Sequence, residues 1–138
     1  MNPLVSKAQN PVHFEYHAEK TGDKTYAIHI TAKIDEGWHI YSQNQPKEAI
    51  AQPTLIAFTK SPLFVWKGKF SEMGKKEKYE DKIAGIIQYQ YGETVEFVQT
   101  VTVKGSAKTT LTGNITYQAC TDERCLSPKT EAISMAIE

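Results

Sequence analysis

The sequence predicts an all-β fold, an antiparallel β-sandwich, and three observations carry it. Apolar residues recur with a period of two along most of the chain, and no stretch keeps a helical period. Turn-forming residues interrupt the pattern roughly every eight to twelve residues, the spacing of a many-stranded sandwich. At 138 residues the chain suits one domain, and a domain of this size buries about 68% of the surface its unfolded chain exposes. Such a core needs neither a disulfide nor a metal merely to fold.

Residues 1–11 are polar and carry Pro3 and Pro11, so they read as a flexible N-terminal arm ahead of one domain spanning 12–138. From Val12 the chain alternates: Val12, Phe14, Tyr16 and Ala18 fall on one face, His13, Glu15, His17 and Glu19 on the other. Thr21-Gly22-Asp23-Lys24 turns into a second strand carrying Tyr26, Ile28, Ile30, Ala32 and Ile34, which completes a hairpin. Asp35-Glu36-Gly37 turns again into Trp38-His39-Ile40-Tyr41-Ser42, and the stretch from Gln43 to Pro53 reads as a long loop interrupted by two prolines. Short strands are expected at Thr54 to Phe58 and Leu63 to Lys69. Phe70 to Lys82, lysine-rich with Gly74 inside it, reads as an exposed loop. Gly85 to Tyr91 forms a strand, Gly92-Glu93 a turn, and Val95, Phe97, Val101 and Val103 keep one parity in the next strand. After the turn Lys104-Gly105-Ser106, a strand carries Leu111, Ile115, Tyr117 and Ala119 on one face, and Ile133, Met135 and Ile137 close the chain as a last strand.

Charge excludes some functions. Sixteen basic residues balance sixteen acidic ones, so no global field points to nucleic acid or to an anionic membrane. No stretch approaches the ~20 apolar residues of a membrane span. Met1 to Lys7 has no apolar signal core, which fits a cytosolic protein or a secreted one lacking its signal; cysteine usage favours the second.

That usage is the most informative feature. The only cysteines, Cys120 and Cys125, have four residues between them and sit between two expected strands. Placed at the ends of a hairpin whose tip is Thr121 to Arg124, their Cα atoms would lie about 4.5 to 5.5 Å apart, within the range a disulfide accepts. As a staple the bond is poorly placed, because closing so short a loop contributes about 2 kcal/mol where a hundred-residue loop contributes about 4.7. As a redox centre it is well placed, since a hairpin tip admits an incoming thiolate and exchange proceeds through a mixed disulfide. Arg124 favours a thiolate at Cys125, whereas Asp122 and Glu123 oppose it. The competing reading is a binding module, not an enzyme, with a structural hairpin disulfide. Zinc is a third, using both cysteines and two of His13, His17, His29 and His39, but these histidines are scattered over two strands and a turn. An antibody-type inter-sheet disulfide is excluded by the short spacing, and a thioredoxin fold by that spacing and the absence of a following helix. Asn114-Ile115-Thr116 matches a glycosylation triplet inside an expected strand.

Gly37-Trp38-His39-Ile40-Tyr41-Ser42, Pro53-Thr54, Tyr117-Gln118-Ala119-Cys120 and Cys125-Leu126-Ser127-Pro128 together resemble the N-terminal domain of the DsbD thiol:disulfide interchange family, from about Val12 to the C-terminus. The resemblance implies an immunoglobulin-like sandwich with the cysteine pair on a hairpin loop, in the periplasm of a Gram-negative bacterium. It implies a protein-disulfide reductase that takes electrons from a membrane-embedded domain and a thioredoxin-like domain, then reduces periplasmic disulfide isomerases and the thiol proteins of cytochrome c maturation. It implies that Cys125 forms the mixed disulfide and Cys120 resolves it, in a monomer without cofactor, nucleic acid or small-molecule substrate. The chain departs from the family in a tighter cysteine loop. It also lacks, at Ser71-Glu72-Met73-Gly74, the aromatic of the family's cap loop; Phe70, Met73 or Tyr79 is the expected substitute, with His39 and Tyr41 matching the family's aromatics beside the pair.

Overall fold

The computed structural model describes residues 10–105 and 108–137. Residues 1–9 of the expected arm, and Ser106 of the expected turn, lie outside the described residues. Pro11 is buried, and its carbonyl accepts a hydrogen bond from the Asp35 amide at 2.8 Å, so the β-ladder begins at the arm's last residue.

Eight strands follow in order: β1 (Val12–Gly22), β2 (Thr25–Ile34), β3 (Ile40–Tyr41), β4 (Leu55–Phe58), β5 (Phe64–Asp81), β6 (Ile86–Val103), β7 (Thr109–Tyr117) and β8 (Lys129–Ile137). They form two antiparallel sheets. One runs β1-β2-β6-β3 with β5 also on β6, and the other runs β4-β7-β8. The expected parities hold: Ile28, Ile30, Ala32, Val95, Phe97 and Val101 from the first sheet join Leu111, Ile115 and Ile133 from the second in one buried cluster. This is an immunoglobulin-like antiparallel sandwich.

Two stretches differ from expectation. The residues from Phe70 to Asp81 are strand, not loop, because β5 pairs with β6 along almost its whole length. Their period of two is hidden because little packs on either face of this edge strand, so nothing selects apolar side chains there; lysines along it keep the edge in water instead. Gly74 suits a close approach, since a Cβ there would lie 3.0 Å from the Thr94 carbonyl and 3.2 Å from the Tyr91 ring, and these neighbours would have to give way by a few tenths of an ångström. Likewise Gly92-Glu93 does not turn the chain. It is a kink inside β6, with Glu93 at φ 61°, where the neighbour of β6 changes from β2 to β3. That change sets the site, because it leaves β3 free to reach the cysteine loop.

The loop from 43 to 53 is anchored by a side chain that imitates a strand. Gln45 accepts from the Tyr89 amide at 2.9 Å and donates to the Tyr89 carbonyl at 2.7 Å, pairing with β6 beyond the end of β3.

On the outer face of the first sheet, His29 meets Glu96 through Nδ1 at 2.7 Å and Glu19 through Nε2 at 3.0 Å. Burial works against its charge, but the two carboxylates outweigh burial and raise its pKa above 6.5. The folded-state value is raised, so the stabilisation is complete below the unfolded value of 6.5 and is lost as pH rises through the folded one. We expect His29→Gln to cost about 1 kcal/mol at pH ~5.5 and less at pH ~8.5. Urea unfolding at the two pH values checks this, and an equal loss at both would refute the charged pairing.

Candidate functional site

β7 ends at Tyr117 and β8 begins at Lys129, and between them the chain turns back on itself at the cysteines. Ala119 accepts from the Leu126 amide at 2.9 Å and Arg124 accepts from the Thr121 amide at 2.8 Å. Cys120 and Cys125 therefore face each other at the position between these bonds, where opposed strands approach most closely. Their Cα atoms are 4.0 Å apart and their sulfurs are bonded. The tip is tightened by Thr121, whose hydroxyl accepts from the amides of Glu123 and Arg124, each at 3.1 Å.

The other side of Cys120 is closed by the residue preceding β3. The His39 amide donates to the Cys120 carbonyl at 2.9 Å, and the Cys120 amide donates to the His39 carbonyl at 3.0 Å. Cys120 thus sits like a residue of a central strand, between His39 and Cys125, and is 1% exposed. Cys125 lies on the free side and is exposed. Gln118 fixes the base of the loop, accepting from the Gln52 amide at 2.8 Å and donating to the Leu126 carbonyl at 3.1 Å.

Burial keeps two side chains beside the pair, His39 and Tyr41, neutral. Burial lowers the pKa of His39, against the opposing pull of Asp122 and Glu77, so the ring is uncharged at neutral pH. Its Nε2 lies 3.0 Å from the Tyr41 hydroxyl, and the two rings meet edge to face. Burial, followed by the charges of Tyr79 and Asp122, pushes Tyr41 up to about 12. At the tip, the Arg124 guanidinium lies over Trp38, 5.4 Å from the ring centre, in a cation–π contact.

The structure thus brings together Cys120, Cys125, His39 and Tyr41. The three residues expected in the cap loop all lie on β5 and are dispersed along it. Tyr79, opposite Gln88, stands near enough to Tyr41 to affect its ionisation. Phe70 instead joins an aromatic cluster with Phe58 and Trp66, both ring centres 6.0 Å away. Met73 is opposite Glu96, exposed. Of the four histidines, only His39 adjoins a cysteine; His13 lies 3.6 Å from Asp35, and His17 faces His29 across the outer sheet surface. Trp38 and Gln118 also belong to the site, and the signal that could have found them is that both stand inside the motifs that carry the family resemblance.

A disulfide with one cysteine buried and the other exposed is suited to exchange through the exposed one. The family model for the thiol:disulfide interchange protein DsbD, N-terminal, matches residues 5–137. The chain belongs to that family. No curated protein matches the sequence. Among solved structures, the N-terminal periplasmic domain of ScsB from Proteus mirabilis superposes with a TM-score of 0.65 at 17% identity, over 93% of this chain and 47% of that one. The chain therefore spans less than half of the ScsB domain. The DsbD N-terminal domain of Neisseria meningitidis in its reduced form gives a TM-score of 0.58 at 16% identity, over 89% of this chain and 84% of that one. A complex between the DsbD and PilB N-terminal domains of the same organism gives 0.53 at 16% identity, over 97% and 85%. At these identities the likeness establishes the shared sandwich.

Proposed function

We propose that this member of the DsbD N-terminal family carries reducing equivalents as a Cys120–Cys125 dithiol to oxidised periplasmic thiol proteins. In the forward step the Cys125 thiolate attacks a partner disulfide, forming a mixed disulfide and releasing one partner thiolate. Cys120, as thiolate, then attacks the Cys125 sulfur; the second partner thiolate leaves, the partner is reduced by two electrons, and the Cys120–Cys125 bond re-forms. A thioredoxin-like domain fed by a membrane-embedded domain restores the dithiol by the reverse sequence. The observation that carries this reading is the contrast between buried Cys120 and exposed Cys125.

The acceptors are proteins with thioredoxin-like domains, among them disulfide isomerases and the thiol proteins of cytochrome c maturation. The complex between the neisserial DsbD and PilB N-terminal domains supports a protein partner. The exchange domain comprises residues 12–138 and works as a monomer. We infer that His39, with Tyr41 bonded to it, backs Cys120, and that Tyr79, near enough to Tyr41 to affect its ionisation, shields the pair. Two thiols suffice for the chemistry, which calls on no cofactor.

Two measurements separate exchange from an inert staple. Equilibration with glutathione will give a reduction potential above about −300 mV, the upper range of structural disulfides. Reduction will leave the sandwich folded and cost at most about 2 kcal/mol, since the loop is short and β7 and β8 are paired independently of the bond. A potential well below that bound, or unfolding on reduction, would identify a structural bond.

A further inference from the structure

Beside the cysteine loop lies a cleft of about 690 Å³ whose charged lining residues are all acidic. Asp35, Glu36, Glu77, Glu93 and Asp122 line it, and no lysine or arginine does. Asp122 belongs to the loop between the cysteines, and His39, whose backbone brackets Cys120, forms part of the wall. An acidic surface alone has no specific ligand, but this one holds an unmet acceptor. Gln90, 8% exposed, also lines the cleft. Its Nε2 donates to Glu77 at 3.5 Å, and its buried Oε1 has no hydrogen-bond partner among the described residues. A buried carbonyl oxygen left unpaired is destabilising, and a donor brought against this wall of the cleft would relieve it. No group of three or more histidine, cysteine or acidic side chains is placed to hold a metal among the described residues. The missing ligand is therefore a cation broad enough to address carboxylates on several elements while donating to Gln90. Trp38, on the same wall, already has a guanidinium, that of Arg124, over its ring.

We propose that this cleft receives a lysine or arginine side chain of the disulfide partner, and so selects partners that are basic beside their reacting cysteine. The inference rests on the exchange reading and names the partner class of that same site. Its electrostatic contribution acts chiefly on encounter, where clefts of one charge raise on-rates by about tenfold or more at low salt.

The test uses the fully reduced protein and three small disulfides: cystamine, which is cationic, 2-hydroxyethyl disulfide, which is neutral, and dithiodiglycolate, which is anionic. Oxidation of the dithiol is followed by loss of titratable thiol. Each rate is divided by that disulfide's rate with dithiothreitol, which removes intrinsic reactivity. Cystamine is expected to react about tenfold faster than the neutral compound at low ionic strength, and dithiodiglycolate more slowly. The preference shrinks towards unity at ~0.5 M salt. Combining Glu77→Gln with Glu93→Gln is expected to reduce it several-fold, Glu77→Lys to turn it towards the anion, and Gln90→Met to lower it. Asp23→Asn in the β1–β2 turn, at the end of β2 away from Asp35, leaves all three rates unchanged. Because the readout is a ratio, a variant that is merely slower leaves it unmoved. A ratio near one in the natural protein at low salt, or one unaffected by the Glu77 and Glu93 changes, overturns the cleft assignment while exchange stands. Failure of all three disulfides to oxidise the accessible dithiol overturns the exchange reading itself.

Discussion

Replacing Cys125 with alanine will abolish mixed-disulfide formation with a thioredoxin-like partner, and Cys120→Ala will make the same mixed disulfide accumulate. Exchange requires the attacking sulfur to approach nearly in line with the bond it breaks. Cys120 offers no such approach: His39 pairs with its backbone on one side, Cys125 opposes it on the other, and 1% of it is exposed. Cys125 is open to solvent on the loop. Without Cys120 nothing nearby resolves the complex, because these are the only two cysteines in the chain. The stability cost runs in the opposite direction. Alanine at the buried Cys120 leaves a small void, whereas at exposed Cys125 it leaves none. Accumulation by the less stable variant is therefore a strong signature of chemistry. Non-reducing electrophoresis and intact mass after mixing with a partner lacking its own resolving cysteine read the result. Partner trapped on Cys120 alone, with Cys125 silent, would reverse the two roles.

What could be read ahead of the structure follows from where a second layer lies on a strand. β1, β2, β7 and β8 each bury one face, so Val12, Ile28, Leu111 and Ile133 announce their strands by alternation. β5 between Phe70 and Asp81 has no fully buried residue, and its hydrogen bonds to β6 leave no trace in side-chain polarity. Gln45 substitutes an amide side chain for a strand, which no periodicity reports. At the site, the short spacing and the hairpin geometry of the cysteines were legible because they are local. Their unequal burial was not, since it depends on His39 arriving from a segment some eighty residues earlier, positioned by the kink at Glu93. Of the aromatics expected in the cap stretch, Phe70 is held by Phe58 and Trp66, and at the tip the Arg124 guanidinium lies over Trp38.

Removing the carboxylate of Glu72 will destabilise the fold by about 3 kcal/mol and loosen the cysteine loop from a distance. Glu72 stands on β5 in the stretch that reads as loop, yet it accepts four hydrogen bonds: from the Ser42 hydroxyl at 2.7 Å, the Gln43 amide at 2.7 Å, the Gln43 side chain at 3.1 Å and the Tyr91 hydroxyl at 2.8 Å. Ser42 is 0% and Tyr91 2% exposed, so Glu72→Ala strands two buried hydroxyls and a backbone amide. Each buried group left unpaired costs about 1–3 kcal/mol, and the lower end applies to a carboxylate that solvent partly reaches. Burial alone would raise the acid's pKa; the four donors outweigh it and leave it below 4.5. A depressed folded-state value means the contribution is present above the unfolded pKa and disappears as pH falls through the folded one. Urea unfolding should therefore show a gap of about 3 kcal/mol between natural protein and variant at neutral pH, closing as pH drops below 4.5. Ser42 and Gln43 directly follow Tyr41, so the same carboxylate clamps the segment that presents His39 to Cys120. Amide exchange at His39 and Cys120 should accelerate more than at the centre of β2, because β2 is held by β1 and β6 independently of Glu72. Uniform acceleration would confine Glu72 to general stability, whereas selective acceleration ties the buried cysteine's immobility, and hence the one-sided reactivity of the disulfide, to a residue on the opposite side of β6.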